Sequence, residues 1–204
     1  MIRTTVLALA CGVSIAASVG AVGAPQANGS ITGTVKVAGQ SSGGDAVVYL
    51  LLAAALPKAP AGQAVLDQKN MKFAPHVLAV PVGTTVSFKN SDTVAHNVFS
   101  PDFEKYNLGT FGPGLSKEHT FSKCAKFPCA YTQLCMIHPE MEGFIVVVPD
   151  AYSATTNDAG QFAIQGVPPG QYQVAVWHPK GKGQPKAVTV EAGKAATVDF
   201  ALSK

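Results

Sequence analysis

The chain has 204 residues, of which 13% are charged and 47% hydrophobic, with a formal net charge of +3. Charge this sparse, with no dense Lys/Arg cluster interleaved with aromatics, argues against nucleic acid as a partner. Twenty glycines and 14 prolines, scattered evenly, suit many short strands joined by turns.

Residues 1–24 read as a secretory signal peptide. Arg3 supplies the positive start, residues 6–22 are apolar, and Ala21 and Ala24 each end a small-residue cleavage triplet. Pro25 disfavours cleavage after Ala24. A retained membrane anchor and a lipid-modified Cys11 are the alternatives. Cleavage leaves about 180 residues, comfortable for two small sandwiches. No further long apolar run follows, so no membrane span is expected in the mature chain and its expected location is periplasmic or secreted.

Residues 31–37 alternate as a strand does. Residues 46–52 are a continuous apolar run, short enough for a buried strand, with a short helix through residues 53–55 as the alternative. Pro57, Pro60 and Gly62 mark a linker. From 63 to 149 the chain reads as seven or eight strands, with residues 100–115 expected as a long irregular loop. Four more strands are expected at 161–164, 172–177, 187–190 and 195–202. So few strands make a poor independent core. They need more sheet, and the N-terminal strands can supply it. The expectation is a discontinuous sandwich, 30–53 plus 153–204, with a domain at 63–149 inserted in it. Insertion at a loop tip is well tolerated. The alternative is that residues 30–53 edge the middle domain.

The chemistry gathers in Cys135-Met136-Ile137-His138-Pro139-Glu140-Met141. A thiolate, an imidazole and a thioether recur at intervals of three, and His96 lies upstream in a polar turn that leads into Val98-Phe99. Soft thiolate selects copper or zinc over hard cations, and two His, one Cys and a weak Met form the ligand set of a blue-copper site. Asn97 is placed to brace the ligand loop by hydrogen bonding. His76, His119 and His178 lack any such pattern. His76 reads as a surface strand position and His119 as part of a solvated face. Phe99, Phe111 and Phe144 are candidates for an apolar shell around the site, or for ordinary core. Of the cysteines after the signal peptide, Cys124, Cys129 and Cys135, two can pair and one can hold a metal.

Gly83-Thr84-Thr85-Val86-Ser87-Phe88-Lys89-Asn90, then His96-Asn97-Val98, then Cys135, His138 and Met141, resemble the cupredoxin family, and the tight ligand loop is most similar to the amicyanin type. The resemblance covers residues 64–149. It implies a Greek-key β-sandwich and one type 1 copper per chain. His96, Cys135 and His138 would be its trigonal ligands and Met141 the axial one. It also implies redox-protein partners that meet the outer edge of the His138 ring. The flanks, Gly33-Thr34-Val35 and residues 158–172, resemble the carboxypeptidase regulatory-like (transthyretin-like) sandwich. The implied fold is therefore all-β, with two sandwiches, and copper proteins of this mixed type are often filed as methylamine-utilisation proteins.

The chain departs from the cupredoxin pattern at residues 122–129, which are longer than usual. A disulfide between Cys124 and Cys129 closing a small loop is the expected reason, since secreted proteins permit it. A second soft-metal site using both thiols is the alternative. No acid/base pair or second metal cluster is visible, so an enzyme is not expected. The function expected is single-electron transfer, with copper storage or delivery, or an interaction module with an incidental metal site, as alternatives.

Overall fold

The computed structural model describes residues 27–51 and 63–204. The signal-peptide reading of residues 1–24, Cys11 and the linker at 57–62 lie outside the described residues. Among the described residues no helix is long and apolar enough to cross a membrane.

The chain begins with β1 (Gly29–Val37) and β2 (Val47–Leu51). Nine strands follow: β3 (Gln63–Lys69), β4 (Lys72–Ala74), β5 (Val77–Pro81), β6 (Thr85–Asn90), β7 (His96–Ser100), β8 (Tyr106–Phe111), β9 (Ser116–Thr120), β10 (Cys129–Leu134) and β11 (Glu142–Val148). The last six are β12 (Ser153–Thr155), β13 (Gln161–Val167), β14 (Gly170–Trp177), β15 (Lys186–Val190), β16 (Ala195–Thr197) and β17 (Phe200–Leu202).

These strands make four sheets. One has the order β13-β1-β16, with β17 also paired to β1, and a second has β12-β2-β14-β15. Ile31, Val35, Val48, Leu50, Ile164 and Val174 fill the core between them. We call this pair the outer sandwich. The inner sandwich consists of β5-β11-β10-β7-β8 and β4-β3-β6-β9. Its core holds Leu66, Val86, Phe88, Phe121, Tyr131 and Ile145. Both N-terminal strands thus pair with strands that follow residue 150, and neither pairs with β3 to β11.

The sandwiches share a third core. Val47 and Tyr49 of β2 and Ala175 of β14 meet Val77 of β5 and Val146 and Val148 of β11. On β2, Val48 and Leu50 face the outer core while Val47 and Tyr49 face this seam. On β11, Ile145 and Val147 face the inner core while Val146 and Val148 face the seam. Strands covered on both faces have no solvent side to keep polar, which is why these two read as continuous apolar runs. Burial at the seam also pushes the Tyr49 phenol up to about 12.

Three expectations need correction. Residues 100–115 are not one long loop, because β8 lies within them and pairs with β7. Left-handed backbone at Phe103, Lys105 and Gly109 turns the chain around it, and such turns carry no period-two pattern. Phe144 is no part of the site's apolar shell; it packs at the seam, 5.4 Å from the Trp177 ring. Residues 195–202 are two short strands, both paired in parallel with β1.

Candidate metal centre

The site sits at one end of the inner sandwich, where three segments converge. The β10–β11 hairpin closes with Leu134 opposite Glu142, so residues 135–141 form its loop. Within that loop the Met141 amide donates to the His138 carbonyl at 3.0 Å, a tight turn beside Pro139. His96 opens β7, whose pairing with β8 slips between Asn97 and Phe99. Such irregularities re-aim side chains at the rim of a sheet.

These elements bring His96, Cys135 and His138 together, with one potential ligand atom from each within 4.8 Å of the others. The two Nδ1 atoms are 3.0 Å apart and Cys135 Sγ is 3.8 Å from His138 Nδ1. Donors about 2.0–2.3 Å from a single ion sit at separations of this order. His96 and Cys135 are buried, while His138 is partly exposed. Met141 is 1% exposed and lies in the same apolar cluster as Cys135. Two imidazoles, a thiol and a thioether therefore fit a soft ion such as copper better than a hard one.

Several groups hold the donors in place. His96 Nε2 lies 3.1 Å from Asp92 Oδ2. With that nitrogen donating to the carboxylate, Nδ1 keeps its lone pair and faces His138. Asp92 is itself fixed: the Met71 amide donates to Oδ2 at 2.8 Å. That hydrogen bond first, and then the His96 ring, hold its carboxyl below the usual range. Asn90, fully buried, staples the preceding turn by donating to the carbonyls of Val94 and Phe111 and accepting from the Asp92 amide.

Asn97 acts at two points. Its backbone amide donates to Cys135 Sγ at 3.4 Å, and its side-chain Nδ2 donates to Asn107 Oδ1 at 2.9 Å. Sequence reasoning picked out Asn97 but missed Asp92 and Asn107. A carboxylate four residues before a histidine was a usable signal. Asn107 lies in the segment read as loop and offered none.

Cys124 and Cys129 are joined in a disulfide, and Cys135 is the free cysteine among the described residues. The other histidines stand apart from the site. His76 is in the bend between β4 and β5, not on a strand, and pairs with Asp45 at 2.7 Å. His119 is only partly exposed and stacks on Tyr106 at 4.0 Å. His178 is buried, with Nε2 3.1 Å from the Gly44 carbonyl.

A family model described as the carboxypeptidase regulatory-like domain matches residues 141–203. That span includes β11, which is hydrogen-bonded within the inner sandwich, and omits β1 and β2. The chain is 30% identical over 93 residues to amicyanin-alpha from Methylorubrum extorquens, covering 46% of this chain and 78% of that protein. It is 33% identical over 86 residues to amicyanin from Paracoccus denitrificans, covering 42% and 66%. Among solved structures it is similar to a purple cupredoxin from Nitrosopumilus maritimus, with 28% identity and a TM-score of 0.37, over 42% of this chain and 99% of that one. With the donor cluster and the all-β architecture already described, the chain belongs to the amicyanin-type cupredoxins, copper proteins of the electron-transfer kind, and carries a carboxypeptidase regulatory-like domain beside that one.

Proposed function

We propose that this protein is a periplasmic or secreted carrier of single electrons between redox-protein partners, not an enzyme. In this reading one type 1 copper is held by His96, Cys135 and His138, with Met141 as a weak axial ligand. The inner sandwich, 63–149, is the cupredoxin domain, inserted in a discontinuous domain made of 30–53 and 153–204. The observation that carries the reading is the close approach of two imidazole nitrogens and one thiol sulfur. Copper, when bound, supplies the one-electron couple.

The chain does the rest. Asp92 keeps the His96 ring in one tautomer and one orientation. The Asn97 amide donates to the Cys135 sulfur and tempers its charge. Burial of His96, Cys135 and Met141 keeps water out and limits rearrangement between oxidation states. The His138 ring is partly exposed, and Met136 and Ile137 beside it are exposed and apolar. That apolar pair gives a partner a surface on which to approach the site.

The Cys124–Cys129 disulfide argues against copper storage, since it removes the two thiols a second soft-metal site would use. Optical titration with Cu(II) tests the proposal. An intense visible band is expected, lost on reduction and absent from Cys135→Ala. A colourless complex, or a Cys135→Ala protein that keeps the colour, overturns it.

A further inference from the structure

A chain of polar contacts leads from the buried thiol to the surface. The Asn97 amide donates to Cys135 Sγ, and the Asn97 side chain donates to Asn107 Oδ1. Asn107 Nδ2 in turn donates to Met136 Sδ at 3.5 Å. Asn107 Oδ1 also accepts from the Gly109 amide at 2.8 Å, which fixes how the carboxamide is turned and leaves Nδ2 facing the sulfur. Met136 is 67% exposed, more than any other large hydrophobic side chain among the described residues. Met141 is 1% exposed and Met71 is partly buried.

We propose that Met136 is an oxidation site through which hydroperoxides modify the face beside His138 and the polar chain that ends on Cys135. The thioether sulfur attacks one oxygen of hydrogen peroxide. The O–O bond breaks and an S–O bond forms, and the sulfur gives up two electrons. The second oxygen leaves as water with both peroxide protons. Exposure selects Met136 over Met141, and among the described residues the disulfide and burial remove Cys124, Cys129 and Cys135 from competition.

The product matters because of what Met136 touches. A thioether is a weak acceptor, whereas a sulfoxide oxygen is a strong one and makes the side chain polar. Asn107 Nδ2 then gains a strong partner, and the change is felt at Asn97 and the thiol. The apolar pair Met136 and Ile137 also loses its apolar character. What that change does to a partner's approach rests on the electron-carrier reading. The lesion is of the class that methionine sulfoxide reductases reverse.

The test uses the intact copper-free protein, limiting hydrogen peroxide and peptide mass mapping over time. Met136 is expected to gain one oxygen about tenfold faster than Met141, and faster than Met71. The Asn107 side-chain amide and Asn97 backbone amide resonances should move in step with it, and Met136→Leu should abolish both changes. Equal oxidation of Met71 or Met141 overturns the proposal, as do Asn97 and Asn107 signals that ignore the modification. A colourless copper complex fails the electron-carrier reading alone and leaves the copper-free result standing.

Discussion

The two sandwiches are built from the same kind of strand and differ in what they bury. The outer core is an apolar cluster from Ile31 to Leu202, and the buried polar residues in its flanking segments, Asp150, Thr156 and His178, are fewer than those of the inner sandwich. The inner sandwich encloses apolar residues too, but also Gln68, Asn90, His96, Asn97, Ser100 and Gln133. Most of these crowd around the end that carries Cys135. A buried polar group costs free energy unless it is hydrogen-bonded, so each demands a partner from another segment. The outer sandwich is therefore specified mainly by apolar pattern. The inner one is specified in addition by a network: Asn90 to Val94 and Phe111, Asp92 to His96 and Met71, Asn97 to Cys135 and Asn107. Such networks preorganise a site, and this one has a site to preorganise.

The largest expected effect separates the two regions outright. Cys135→Ala should eliminate the intense visible band of the copper-loaded protein while the far-ultraviolet circular dichroism stays that of a β-protein. Loss of both together would mean that the thiol is needed for folding, and the contrast between network and scaffold would fail.

Next is a cavity in the other core. Ile164 is 2% exposed in the outer sandwich, and Ile164→Ala should cost about 2–5 kcal/mol in urea unfolding. The visible band of the copper-loaded variant should stay where it is. A displaced band would show that the seam transmits outer-core packing to the site.

Opening the disulfide with Cys124→Ser and Cys129→Ser should cost about 2 kcal/mol, since the closed loop is short. The loss should fall on the inner sandwich, read as faster hydrogen exchange in β9 and β10 than in β13 and β14. Uniform loss across both would make the two a single cooperative unit.

The smallest effect is one of pH, in the outer sandwich. The Thr34 hydroxyl and amide both donate to Asp199 Oδ1 at 2.8 Å and hold its carboxyl below the ordinary 3.8. The unfolded chain therefore binds this proton more readily than the folded one. The stabilisation is complete above the ordinary value and is lost as pH falls through the lowered one. Acid titration of Asp199→Asn should lack that step, and an unchanged curve would rule out the contribution.

Much of this was legible in the sequence because it is local. The ligand loop spans seven adjacent residues, and the period-two runs mark β1, β6 and β14 without help. The continuous runs at β2 and β11 marked buried strands but not what buried them. The seam arises only when two sandwiches meet, and it explains Phe144, which looked like site shell and is seam. β8 was hidden because left-handed turns and glycine break its pattern, and Asn107 was hidden with it.

By itself, then, the sequence determined the donor types, their spacing and the all-β class, because each depends on residues near one another in the chain. Tertiary structure alone decided that β1 and β2 pair with strands more than a hundred residues away, and that Asp92 fixes His96 while Met71 fixes Asp92. It alone joined Met136 to Cys135 through Asn107 and Asn97. These pairings are hydrogen bonds between distant segments, and a one-dimensional pattern holds no record of which buried donor will meet which acceptor until the strands are in register.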